Sequence, residues 1–186
     1  LMLDNNIYGL TKNQTSPTTP QGYTSMTSPK GAHLPALDPL QATLGVSNAS
    51  FVAQTADWVP AHLYATIQAA YDHPGFSFVR ILQRCPKFTH DVFQKNVENP
   101  DLTELLVHEK GVDVPGLAQL FKASRVHNPK NIDDARALAQ RTDKLRLGIF
   151  FRDDDMPTYE QLRAVPKVSA EEKVARLNKE FERYAV

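Results

Sequence analysis

Three features of the 186-residue chain predict an α/β protein built on a parallel sheet. It opens on an apolar strand end, Leu1 to Asp4, and two further apolar, partly β-branched runs follow at Ser50–Ala53 and Phe76–Leu82. Between those two runs lies a stretch with helical periodicity. A strand, helix, strand unit of this kind crosses over right-handed into a parallel sheet. Residues 1–88 therefore read as half of a doubly wound domain, and residues 89–186 as a mainly helical extension.

In chain order, the strand end runs into a segment from Gly9 to Pro35 that is rich in Thr, Ser, Pro, Gly and Gln and has no apolar period. A loop that long is uncommon in a compact domain unless it wraps a ligand or a neighbouring subunit. Asp38-Pro39 before Leu40–Leu44 and Gly45 supplies an N-cap, a proline at the first helical position and a terminating glycine, which predicts a short helix. Asp57 is expected to cap a longer helix in which Val59, Leu63, Ile67 and Tyr71 recur every fourth residue, ended by His73-Pro74-Gly75. Beyond Pro86 the pattern predicts short helical pieces and no further sheet, clearest at Val114–Ser124 and Ile132–Thr142. Leu145–Phe151 reads as a strand or an extended arm. Thr158 is expected to cap a helix, Ser169-Ala170-Glu171-Glu172 is a capping box for the last one, and Val174, Leu177, Phe181 and Tyr184 trace a narrow stripe suited to one neighbour.

Twenty-one basic residues balance twenty-one acidic ones, so no global field draws the protein to nucleic acid or to an anionic membrane. No apolar run approaches the roughly 20 residues of a bilayer-spanning helix, and no charged-then-apolar leader precedes the first strand. The single cysteine excludes an internal disulfide and fits a reducing, cytoplasmic setting. The six histidines show no zinc-like spacing, and Asp153-Asp154-Asp155 reads as a solvated turn. No Ser/His/Asp arrangement is legible.

Chemistry is concentrated in Asp4-Asn5-Asn6-Ile7-Tyr8-Gly9-Leu10-Thr11-Lys12. A strand that stops in Asp-Asn places short oxygen-bearing side chains at the carboxyl edge of a sheet, where α/β proteins hold ligands, and Gly9 to Lys12 adds a flexible backbone and one cation. The pattern suits a bound diphosphate and its metal; it also suits an Asn-rich turn closing a strand. Cys85, in Arg84-Cys85-Pro86 directly after the Phe76–Leu82 strand, is by itself either a small buried hydrophobe or a thiolate ligand.

The string Asp-Asn-x-Ile-Tyr-Gly-Leu-Thr-Lys-x-Gln-x-Ser-Pro-Thr resembles the beta subunit of 2-oxoacid:ferredoxin oxidoreductases, the thiamine diphosphate subunit, in the branch associated with 2-oxoglutarate. The resemblance implies the carboxyl-terminal half of a thiamine diphosphate-binding domain in residues 1–88, with the opening Gly-Asp-Gly motif and three cysteines expected upstream of Leu1. It implies cofactor contacts from Asn5, Ile7, Tyr8 and Gly9, with magnesium on the Asn5 side chain and the Ile7 main-chain oxygen. Either Asp4-Asn5 or Asn5-Asn6 can be counted as the closing pair of that motif, and alignment on Ile-Tyr-Gly-Leu-Thr-Lys selects Asn5. It further implies substrate or coenzyme A contacts from Leu10, Thr11 and Lys12, and makes Cys85 the fourth ligand of a 4Fe-4S cluster, with Arg80, Arg84 and Lys87 near enough to stabilise it. No residue is assigned a catalytic role.

The expected activity is oxidative decarboxylation of a 2-oxo acid, 2-oxoglutarate before pyruvate, to an acyl-CoA. The electrons would pass to ferredoxin and the partner would be an alpha subunit, this stretch alone being inactive. A thiamine-dependent decarboxylase or carboligase without a cluster, and a non-catalytic subunit-interaction module, are the alternatives; iron and sulfide content separates the first of these.

Overall fold

The computed structural model describes residues 1–46, 48–164 and 167–184. Strand β1 (Met2–Asp4) leads into a small hairpin, β2 (Ile7–Tyr8) with β3 (Gln14–Thr15), and a long loop follows to α1 (Pro39–Leu44). Asp38 caps α1 as expected, its carboxylate accepting from the backbone N–H groups of Leu40 and Gln41. Next come β4 (Phe51–Ala56), α2 (Pro60–Asp72) and β5 (Ser77–Leu82), then α3 (Gln94–Glu98), β6 (Thr103–Val107), α4 (Leu117–Leu120), β7 (Ala123–Val126), α5 (Ile132–Gln140) and β8 (Leu145–Arg152). These lie in one compact unit, Leu1–Met156; a second, Pro157–Val186, holds α6 (Tyr159–Leu162) and α7 (Ala170–Glu182). Thr158 and Gln161 form a capping box on α6, and Ser169 accepts from the Glu172 N–H on α7.

Six strands form one sheet in the order β1-β5-β4-β8-β6-β7. β1, β5 and β4 are mutually parallel, as the strand, helix, strand reading requires, and β8, β6 and β7 are parallel to one another; β4 and β8 run antiparallel where the triplets meet. The α/β class and the parallel sheet therefore hold. The expectation that the chain beyond Pro86 adds no sheet does not, because β6, β7 and β8 all come from it. Val114–Ser124 contains a single helical turn and then the edge strand β7, whose alternating burial is that of a strand resting one face on the core. Non-local pairing with β6 overrides the local helical pattern there.

Helices cover both faces. Alternation along β4 sends Val52 toward α1 and α5, where Leu40, Leu44, Ala135 and Leu138 pack, and sends Phe51 and Ala53 toward α2. Leu105, Leu117, Phe121 and Leu147 extend the core under the second triplet. Gly148 is needed where β8 passes β6: its φ is +130°, and a Cβ there would meet Leu106 O and Cβ at 2.9 Å.

Helix α2 corrects two details. Asp57 does not cap it, since Pro60 takes the first helical position behind Val59; Asp57 instead accepts from the Arg84 backbone N–H at 3.1 Å. The buried face is His62, Thr66 and Ala70, while Tyr71 points outward, so the stripe is rotated by about one residue from the expected one. Among the described residues no helix is long and apolar enough to cross a membrane.

His62 is fully buried and bonded through Nδ1 to the Thr55 hydroxyl at 2.9 Å, and burial pushes its pKa from 6.5 down to about 4. The unfolded chain takes up a proton below pH 6.5 where the fold takes one up only near 4, so stability is full above 6.5 and falls as pH drops through that window. Urea unfolding at pH 7.5 and pH 4 is expected to differ by about 3 kcal/mol from this group alone. His73, His108 and His127, all lowered, act in the same direction. His62→Gln, which has no titrating ring, is expected to flatten the slope.

Candidate functional site

The carboxyl ends of β1, β5 and β4 lie on one edge of the sheet, and the residues that follow them build the site. Asp4 closes β1 and is 3% exposed. One of its oxygens accepts from the Asn6 N–H (3.1 Å) and the Thr18 hydroxyl (2.6 Å), and the other from Nε and Nη2 of Arg80 (2.9 and 2.6 Å). With four donors its carboxylate is fully engaged, which leaves ligand contacts to the residues after it.

Asn5 accepts the Ile7 N–H on Oδ1 (3.2 Å), a short turn that keeps one lone pair on that oxygen, while its carbonyl accepts from the Thr89 hydroxyl (2.8 Å). Asn6 sits at φ +59°, donates to the Thr18 carbonyl through Nδ2 and accepts the Thr19 hydroxyl on its own carbonyl. Its Oδ1 is buried without a partner among the described residues. An orphaned buried amide oxygen beside a half-used one is a donor set that suits a hard cation such as Mg²⁺. Ile7 is buried at the start of the hairpin and Tyr8 is half exposed.

The hairpin tip is strained and open. Lys12 and Asn13 both have positive φ, +70° and +68°, which non-glycine residues adopt at a cost of about 1–3 kcal/mol each. Leu10 is 98% exposed, Thr11 bonds only to Gln14 at the surface, and Lys12 makes no ion pair among the described residues. The three residues expected to meet substrate thus project together from one tip, apart from the Asn5–Ile7 base, in which Asn6 and Ile7 are buried.

Cys85 comes back to this loop. A Cβ placed on Gly9 would lie 3.8 Å from its sulfur and 3.7 Å from the Phe88 ring, so the hairpin and the segment after β5 are in contact. Burial pushes the Cys85 thiol up, but the N–H groups of Phe88, Lys87 and Thr89 and the Thr89 hydroxyl outweigh it and bring the pKa below the usual thiol value. The nearby cations contribute otherwise than expected. Arg80 serves Asp4 and Gln54, Arg84 pairs with Asp57 at 3.6 Å and lies over Trp58, and Lys87 lies over Phe88. Backbone amides, not guanidinium groups, favour the thiolate.

Sequence reasoning missed Thr89 and Tyr23. Thr89 bonds to Asn5 and faces Cys85; the Tyr23 hydroxyl donates to the Phe88 carbonyl and pins the long loop over the same segment. Neither carries a local signal, because each acts across a sequence separation of tens of residues. Thr89→Val is expected to raise the thiol pKa of Cys85, so alkylation by iodoacetamide at pH 7 slows while the rate at high pH is unchanged.

A family model of the thiamine pyrophosphate enzyme, C-terminal TPP binding domain, matches residues 1–81, and one of the C-terminal part of the pyruvate ferredoxin oxidoreductase beta subunit matches residues 118–167. The chain is 26% identical over 165 residues to a 2-oxoacid:ferredoxin oxidoreductase subunit beta from Sulfolobus, covering 87% of this chain and 50% of that one. It is 38% identical over 93 residues to the 2-oxoglutarate oxidoreductase subunit KorB of Mycobacterium tuberculosis, covering 50% of this chain and 25% of that one. The chain thus spans half or less of the length of these relatives. Its fold matches the 2-oxoglutarate:ferredoxin oxidoreductase from Magnetococcus marinus solved with 2-oxoglutarate, coenzyme A and succinyl-CoA, with a TM-score of 0.66 and 26% identity over 94% of this chain and 56% of the other. Two family models, and relatives of one kind by both sequence and fold, show that the chain is homologous to the beta subunits of the 2-oxoacid:ferredoxin oxidoreductases.

Proposed function

We propose that this chain works with an alpha subunit in the cytoplasm to decarboxylate a 2-oxo acid oxidatively, 2-oxoglutarate in preference to pyruvate, forming an acyl-CoA and passing electrons through a 4Fe-4S cluster to ferredoxin. The observation that carries the reading is the meeting, at Gly9, of an Asn-lined loop with a thiolate-favouring loop at one sheet edge. The names of the relatives and the ligands of the Magnetococcus marinus enzyme support the substrate class. Residues 1–88 act as the thiamine diphosphate-binding part and 89–186 as an extension, a division supported by where the two family models fall.

In this reading the Asn5 side chain and the Ile7 carbonyl would hold magnesium, and Tyr8 and Gly9 would contact the cofactor. The Arg80–Asp4 pair fixes the loop through the Asn6 N–H and Thr18, so the oxygens are set before any ligand arrives. Thiamine diphosphate, when bound, supplies the nucleophilic carbon and the electron sink for decarboxylation. Lys12, with Leu10 and Thr11 beside it, meets the distal carboxylate of the substrate or a coenzyme A phosphate. Cys85 is one of the four cluster ligands, and N–H donors to its sulfur are among the levers that tune such clusters.

Two substitutions in the complete enzyme test this. Cys85→Ala is expected to lower iron and acid-labile sulfide and to stop ferredoxin reduction, with thiamine diphosphate still bound; full iron content would return Cys85 to the role of a packing residue and favour the decarboxylase reading. Lys12→Met keeps the stem and removes the charge. A charge-assisted contact is worth about 1.5–3 kcal/mol, so the specificity constant for 2-oxoglutarate is expected to fall roughly ten- to a hundredfold. It should fall less for pyruvate if the lysine reads the distal carboxylate, and equally for both if it holds coenzyme A.

A further inference from the structure

Helix α7 has no part in the sheet edge described above. None of its residues is buried, and Val174, Leu177, Phe181 and Tyr184 are each more than half exposed. With Ala170 they recur at alternating intervals of four and three, the spacing of a coiled-coil seam. Val174 and Phe181 take the a positions, and Ala170, Leu177 and Tyr184 the d positions. The Ser169 cap and the Glu172–Arg176 and Glu180–Arg183 pairs support the helix itself, so the seam is presented ready-formed.

We propose that α7 pairs antiparallel with the same helix of a second copy of this chain, about a two-fold axis level with the midpoint of Val174 and Leu177. In that register Val174 faces Leu177 of the second copy, and Ala170 faces its Phe181. Size matches size there: Ala170 and Ala175 leave a shallow hollow beside Val174, and the large ring of Phe181 meets the small Ala170 at its rim.

Charge selects this arrangement over the others that the seam allows. The g positions are Lys173 and Glu180, and in an antiparallel pair g flanks g. Each Lys173 then lies beside Glu180 of the second copy, twice by symmetry. Sliding by one heptad sets Glu180 against Glu180 in one direction and Lys173 against Lys173 in the other. A parallel pair sets Lys173 against Asn178 and leaves Glu180 without a cation. Lys173 makes no ion pair among the described residues, and Glu180 holds Arg183 of its own helix across an exposed contact that exchanges at little cost. A two-fold contact closes on itself, so assembly stops at the dimer. Thirteen residues span roughly 20 Å, which makes the interface small and the association dependent on concentration.

The test is sedimentation velocity of the whole chain over about 5–500 µM, with reductant so that Cys85 stays a thiol. A reversible monomer–dimer equilibrium is expected. Lys173→Glu and Glu180→Lys, made singly, set like charges across the pair and are each expected to weaken the dimer at least about tenfold; made together they are expected to restore it. Both swaps put charge where the helix dipole favours it, acid near the start and base near the end, so the helix survives and the circular dichroism spectrum is unchanged. Leu177→Glu is expected to leave only monomer. A chain that stays monomeric at the top concentration, the outcome if the stripe serves a different protein, overturns the proposal. So does a dimer that the single swaps leave intact, or one that the double swap fails to restore.

Discussion

One hydrogen-bonded line crosses every strand of the sheet in spatial order, through the side chains of Asp4 on β1, Arg80 on β5, Gln54 on β4, Arg146 on β8, Glu104 on β6 and Arg125 on β7, with Gln54 joining Arg146 at its main-chain carbonyl. Asp4, Gln54, Glu104 and Arg146 are buried, in a sheet whose neighbouring positions are Val52, Ile81, Leu105 and Leu147. Burying charge is costly unless each group is fully bonded; here adjacent strands supply the partners along the line, and loop groups (Asn6 and Thr18 at Asp4, Arg141, Asp143 and Lys144 at Arg146) complete them. Register is the consequence. A one-residue slip of any strand would leave a charge unpaired in the interior, so the line ties the loop after Asp4 to strands more than a hundred residues away.

The antiparallel meeting of β4 and β8 divides this sheet into two halves whose carboxyl edges face opposite ways. Asn5, Asp57 and Cys85 follow strands of the first half and share its edge; His108, His127 and Asp154 follow strands of the second and share the other. The segments that enter β8 and β6 therefore lie on the same edge as Asn5 and Cys85, while the carboxyl ends of those strands lie on the opposite one. The second half's demands are local and exacting: a register shift at Val52/Ala53 lets β4 meet β8, and Gly148 lets β8 pass Leu106.

How much of this is legible in the sequence depends on whether the deciding contact is local. The cap at Asp38, the strand, helix, strand unit and the Asp-Asn loop are readable because caps, apolar periods and motif spacing act within a few residues. Thr103–Val107 and Ala123–Val126 are not, since short apolar segments take the conformation that a distant partner offers. The same limit applies at the site. Asn5 and Cys85 are visible as residue types in a pattern, whereas Thr89 and Tyr23, which join them, are defined only by the fold. Arg80 stands out as an oddity in an apolar strand, and proximity in sequence puts it with the cysteine; its register beside Met2 brings it within reach of Asp4 instead.

That reassignment changes what kind of site Cys85 occupies. A thiolate held by nearby guanidinium groups would owe its low pKa to charges that salt screens and that substitution removes one at a time. Here the donors are successive backbone N–H groups of Lys87, Phe88 and Thr89, fixed by the turn in which the Thr89 N–H returns to the Cys85 carbonyl at 3.2 Å. Backbone dipoles preorganised in this way keep their geometry whichever ligand the sulfur takes, and they add no net charge to the surface around it. The loop is held in turn by Thr89 on Asn5 and by Tyr23 on Phe88, so movement of the Asn-lined base must disturb the sulfur environment, and the reverse. Order in the Asn-lined loop and acidity of the thiol are therefore one mechanical property of this edge, set by the same Thr89 hydroxyl.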